Sequence, residues 1–147
     1  MSRDALARGR DLEEPRDIHF ALHFLADAAL ARGDVVEAEE RYRQSLRATM
    51  DYGNTLQAGM EIQGMAMAIA GQGRLERALR LNAAAQVWLR DGGIESDRIP
   101  FWAGYMIRYL APARVSIGEA ALGVVEDEGR RMGFEAALDQ ALDRTGD

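Results

Sequence analysis

Two stretches forty residues apart carry the same punctuation. Ala31-Arg32-Gly33-Asp34-Val35-Val36-Glu37-Ala38 and Gly71-Gln72-Gly73-Arg74-Leu75-Glu76-Arg77-Ala78 each read as a helix end, a glycine turn, and a small alanine five residues past the glycine. A connection this short forces the two helices it joins to run antiparallel. One such hairpin cannot bury its apolar face alone, so repeated hairpins must stack on one another.

The residues between the turns agree with helix. Proline occurs only at Pro15, Pro100 and Pro112, leaving long stretches where helix is not forbidden. Alanine, leucine, arginine and glutamate dominate them, and all four favour helix. No segment alternates with period two, so no strand is expected. A first helix is predicted from about Arg16 to Arg32, with Leu22, Leu25, Ala26 and Ala29 as its apolar stripe. Gly33 ends it, and Asp34 caps the next, which places Ala38, Tyr42, Ser45 and Leu46 on one face. Glu39, Arg41, Arg43 and Arg47 fall elsewhere on that helix. Tyr52-Gly53-Asn54 breaks it, and Asn54 or Thr55 opens a third helix striped with Ile62, Met65, Ala66 and Ile69. A fourth carries Leu75, Ala78, Leu79, Ala85 and Trp88 and stops at Gly92-Gly93. Pro100 then suits the first turn of a further helix with Asp97 as its cap, and Pro112 should kink or end that helix.

Composition removes whole classes of chemistry. There is no cysteine, hence no disulfide, thiolate nucleophile or cysteine zinc site. All 18 basic residues are arginine. A nucleotide-binding P-loop, a Schiff base and protein-kinase chemistry all require a lysine, so this chain supplies none of them. A net charge of −6, with arginines interspersed among carboxylates, argues against direct binding of nucleic acid. No apolar run is long enough to span a membrane. Met1 to Arg10 is charged and lacks the apolar core of a secretion signal, so the expected location is the cytoplasm.

Leu22, Leu25, Ala26, Gly33, Asp34, Ala38, Tyr42 and Leu46 together resemble a tetratricopeptide (TPR) repeat. Ile62, Ala66, Gly73, Ala78 and Ala85 carry a second match, which departs from the pattern at Asn82, where an aromatic residue is usual. The forty-residue offset is also longer than the 34 residues of that repeat. A longer resemblance, over residues 17–143, is to the TPR-like C-terminal region of bacterial LuxR-type and related ATPase-containing transcriptional regulators. It rests on the Gly33-Asp34 turn, the stretch Glu76 to Ala84, the segment Ala113 to Glu119, the turn at Glu128-Gly129, and a final helix from Phe134 to Leu142. The resemblance implies an all-α fold: antiparallel TPR-like hairpins stacked as a short superhelix and closed by a C-terminal helical cap. Repeats would span residues 1–96 and the cap 97–147, with residues 1–15 reading as the second helix of an incomplete hairpin. It implies a regulatory, non-catalytic module that binds a protein partner or a second copy of itself, with no cofactor. The ATPase and DNA-binding parts of such regulators are not in this sequence, so a fragment or a short relative is expected.

Three sets of residues are candidates for a site. In a TPR-like stack the first helix of each hairpin lines the concave side, which places Phe20, His23, Asp27, Leu30, Met60, Gln63 and Met67 in a partner-binding groove. Methionine suits an adaptable binding surface, although the same stripe serves equally well as core. Trp88, Trp102, Tyr105 and Tyr109 could enclose a small ligand, the alternative being core between the repeats and their cap. This is the basis of a second reading, a small-ligand sensor. A third is a metal-dependent enzyme. His19 and His23 stand four apart, on one helix face that Asp27 extends. The zinc-protease motif needs a glutamate after its first histidine, and Phe20 is there instead. No third ligand is fixed by the sequence, so a polar groove face without metal is expected. Carboxylate runs such as Glu13-Glu14 and Glu126-Asp127-Glu128 read as solvated charge, and no Gly-x-Ser-x-Gly elbow occurs.

Overall fold

A computed structural model describes residues 15–143, and the half-hairpin expected over residues 1–15 lies essentially outside that range. Among the described residues the chain is all helical. The helices are α1 (Pro15–Ala31), α2 (Val35–Asp51), α3 (Thr55–Gly71), α4 (Leu75–Asp91), α5 (Pro100–Ile117), α6 (Glu119–Arg131) and α7 (Phe134–Leu142), with one turn of 3-10 helix at Ser96–Arg98.

The first four helices are each 17 residues long. Gly33, Gly53, Gly73 and Gly93 follow them at twenty-residue intervals, and all four have positive φ. The reason is clearest at Gly33. With φ at +83°, the chain can turn back so that Asp34 N donates to Ala29 O at 2.9 Å and Gly33 N to Leu30 O at 3.2 Å. These are the two bonds of a Schellman motif, which satisfy carbonyls that the helix end would leave orphaned. The same six-residue bond recurs from Asn54 to Thr49, from Arg74 to Ile69 and from Ile94 to Leu89. The next helix begins at once. Asp34 accepts from Glu37 N and Asn54 accepts from Gln57 N, as N-caps do.

Consecutive helices pack in order, α1 on α2, α2 on α3 and α3 on α4. The core between them holds Ala26, Leu30, Tyr42, Leu46, Ile62, Met65, Ile69, Leu79 and Leu89. Small residues set the spacing. A Cβ on Gly64 would stand only 2.7 Å from the Tyr42 ring, so α2 and α3 meet as closely as a glycine allows.

The C-terminal helices fold back on this stack. α5 lies against α3 and α4 and reaches the end of α1, where the Tyr109 hydroxyl donates to Leu30 O at 2.6 Å and Arg108 donates to Ala31 O at 2.9 Å. α6 packs mainly on α4, and Gly129 is pressed against the Arg80 backbone. α7 docks on α3 and α4, and Phe134 stacks on Trp88 with ring centroids 4.2 Å apart.

Two local expectations are corrected, and one burial was not foreseen. Asp97 does not cap α5: the N-cap is Ile99, with Pro100 behind it and no side-chain capping bond. Pro112 does not end that helix, which continues to Ile117. Pro112 and Arg108, whose carbonyl loses its usual donor, are both exposed, so water can satisfy that carbonyl. Glu39 and Arg43 are buried although they lie off the apolar stripe of α2. α7 accounts for this, because Arg43 Nε donates to Ala141 O while Arg43 Nη2 pairs with Glu39 at 2.5 Å.

Candidate functional site

A buried polar cluster sits where α1, α2 and α3 meet under the start of α5. Its centre is Glu61, which is fully buried, as is His19. The four-residue spacing of His19 and His23 turns both rings toward α3, and there Glu61 meets them. His23 Nδ1 lies 2.9 Å from each Glu61 oxygen, and His19 Nε2 lies 3.3 Å from Glu61 Oε2. Gln57, one turn back along α3, donates to Glu61 Oε2 at 2.9 Å.

An outer ring of groups holds these three in place. His23 Nε2 faces Asp27 Oδ2 at 3.3 Å, and the Tyr42 hydroxyl donates to Asp27 Oδ1 at 2.6 Å. His19 Nδ1 is 2.9 Å from the Tyr52 hydroxyl. Trp102 stacks over the His23 ring at 5.9 Å, 17° from parallel, and meets Tyr42 edge-on. The Trp102 indole donates to Gln63 Oε1 at 2.8 Å, and Gln63 Nε2 donates to Asn82 Oδ1 at 2.9 Å.

The electrostatics follow from burial and charge. Burial alone would lower the pKa of His23, but the Glu61 hydrogen bond and the charges of Glu61 and Asp27 outweigh it and raise the imidazole above its ordinary value. Burial would raise the Glu61 carboxyl, yet hydrogen bonds from His19 and His23, the His23 charge and Gln57 bring it well below the usual range. At Asp27 burial wins over His23 and Tyr42, so that carboxyl is raised. Burial and the facing Asp27 push the Tyr42 hydroxyl up as well. The network therefore favours the charged form of His23 between Glu61 and Asp27.

Comparison with known proteins gives no matching family model, no match among curated proteins and none among solved structures.

The residues expected in a partner-binding groove are brought to one side, but α5 covers much of it. Leu30, Gln63 and Met67 are fully buried and Met60 nearly so, while His23 and Asp27 are partly buried. The expectation of an accessible groove at Leu30, Gln63 and Met67 is corrected accordingly: these residues are core. Phe20 remains exposed, as do Phe24 one turn on and Phe101 at the start of α5.

The four aromatic candidates for a ligand pocket have different surroundings. Trp102 packs on His23 and Tyr42, Tyr105 and Tyr109 pack against the core, and Trp88 lies with Phe134 and donates to Thr55 O. A cleft of about 560 Å³ lies instead between α4, α5 and α6. Its lining includes Val87, Met106 and Ile107 with Arg90, Arg114 and Glu126. Glu126 is buried against Arg114 and Arg130 rather than solvated as its sequence context suggested. Sequence reasoning missed Glu61 because it occupies one position of an almost wholly apolar helix. A charged residue at a core position was the signal that could have found it.

Proposed function

We propose that the chain is a non-catalytic protein-interaction module of TPR-like type, the repeat region of a bacterial transcriptional regulator, acting in the cytoplasm. The observation that carries this reading is the exposed aromatic set Phe20, Phe24 and Phe101. Phe20 and Phe24 are one turn apart on α1, and Phe101 adjoins the tryptophan stacked on His23. Exposed large aromatics in such proximity favour a protein contact, since the core of an interface is enriched in them. The non-catalytic reading is supported by the way the buried cluster is closed: each Glu61 oxygen is already engaged, and the cleft of about 560 Å³ does not include His19, His23 or Glu61 in its lining. The forty-residue hairpin unit, longer than a TPR, is compatible with a stack of the same kind but different curvature.

Sedimentation velocity over a range of concentrations tests the interaction reading, a second copy being the first partner to examine. Reversible association that the Phe24→Ser/Phe101→Ser double variant abolishes is the expected outcome. A strict monomer in both forms removes self-association from the proposal. An ATPase module encoded in frame upstream is the expected genetic context of the regulatory reading.

The cleft between α4, α5 and α6 favours a second reading, a small-ligand sensor. Its volume is within the range of ligand pockets, and it mixes an apolar wall with a few charged groups.

A further inference from the structure

We propose that His19, His23 and Glu61 form a binding site for a divalent transition-metal ion of the zinc class. Their ligand atoms, His19 Nε2, His23 Nδ1 and the Glu61 carboxylate, all lie within 4.8 Å of one another. Ligands around a zinc ion at its usual bond lengths stand roughly 3.3–3.5 Å apart. His23 Nδ1, 2.9 Å from Glu61 Oε1, needs to move out only slightly, and His19 Nε2 already stands 3.3 Å from the carboxylate at Oε2. Two imidazoles and one carboxylate suit a borderline ion, whereas magnesium and calcium require oxygen ligands.

The surroundings match what such a ligand set needs. A histidine that coordinates through one nitrogen usually donates its other N–H to a carboxylate or another oxygen, which fixes the ring. Both histidines here have that partner. His23 turns Nε2 to Asp27, itself held by Tyr42, and His19 turns Nδ1 to the Tyr52 hydroxyl. A hydroxyl can donate or accept, so His19 can free Nε2 for an ion by carrying its proton on Nδ1 instead. His23 coordinates through Nδ1 in the tautomer that carries its proton on Nε2, facing Asp27. Gln57 continues to donate to Glu61 Oε2, while Oε1, which His23 Nδ1 engages, passes to the ion as that nitrogen does. No arginine is among the hydrogen-bond partners of Glu61 to compete for it.

The sequence offered two ligands four residues apart and no third. Glu61 is that third, 38 residues beyond His23. The site differs from a zinc-protease helix, because the carboxylate is a ligand on a neighbouring helix and not a general base beside the first histidine.

The test uses the untagged full chain, stripped with a chelator and titrated with Zn²⁺ by calorimetry and with Co²⁺ by visible absorption. One ion per chain is expected, with a raised thermal midpoint and no comparable response to Mg²⁺. Glu61→Gln keeps the shape of the side chain and should abolish binding while the far-ultraviolet dichroism stays that of the wild type. Asp27→Asn should weaken binding about 10–100-fold by disturbing the His23 ring. Absence of zinc binding by the wild-type chain overturns the proposal. So does binding that neither substitution changes, which would place the ion elsewhere on the surface. If Glu61→Gln does not fold, Asp27→Asn decides alone, and unchanged affinity in that variant overturns the proposal.

Discussion

The indole N–H of Trp102 donates to Gln63, 39 residues away, at 2.8 Å in the interior of the protein. Gln63 passes the contact on to Asn82, so a line of hydrogen bonds joins α5 through α3 to α4. Asn82 thus satisfies the far end of Gln63 in the core.

Trp102→Phe should therefore cost more than its small loss of volume. It leaves the Gln63 carbonyl buried without a donor, a penalty of about 1–3 kcal/mol. Asn82→Leu should cost a similar amount by orphaning the Gln63 amide. Urea denaturation of the two single variants and the double variant measures this. The effects should be non-additive, because all three residues share one network.

Two glycines inside helices should respond in opposite directions to alanine. At Gly64 the new methyl would meet the Tyr42 ring at 2.7 Å, with a destabilisation of roughly 1–3 kcal/mol. At Gly104 nothing lies within 4 Å, and the gain in helix propensity should stabilise by about 0.5–1 kcal/mol. Thermal midpoints that move the same way in both variants would contradict the packing of α2 on α3.

Glu39 should contribute to the acid limb of stability. Burial would raise its carboxyl, but Gln72, Arg43 and Arg74 outweigh that and hold it below the ordinary value of 4.5. A depressed folded-state pKa gives stability that is present above the unfolded value and lost as pH falls through the folded one. Unfolding free energy measured downward from pH 5 should fall in the wild type and fall less steeply in Glu39→Gln. At pH 7 that variant should already be less stable by about 1–3 kcal/mol, having lost charge-assisted bonds to two arginines.

Much of the repeat region was legible because its punctuation is local. Gly33 and Gly73 announce turns that only a positive φ can make, and Asp34 and Asn54 cap helices by bonds to residues three positions on. The cluster was not legible, because its parts come from different helices. His19 and His23 are visible as a pair, but nothing local says that Glu61 will lie against them. The burial of Glu39 and Arg43 was not legible for the same reason, since the groups that engage them come from α7 and from Gln72 at the end of α3. The expected groove failed at Leu30, Gln63 and Met67 because periodicity identifies an apolar stripe without saying which helix will cover it. Pro112 does not end its helix, because the Arg108 carbonyl that loses its donor lies on an exposed face.

The central claim is that the chain's own α5 covers Leu30 and Gln63, so that the proposed partner would meet the exposed aromatics at its edge. Trp88→Phe leaves Trp102 as the only tryptophan, and iodide quenching then reports on that cover directly. The account predicts blue-shifted emission that iodide barely quenches, because Trp102 is fully buried against His23 and Tyr42. Red-shifted emission, quenched as readily as free tryptophan, would mean that α5 does not close the groove and would contradict the account.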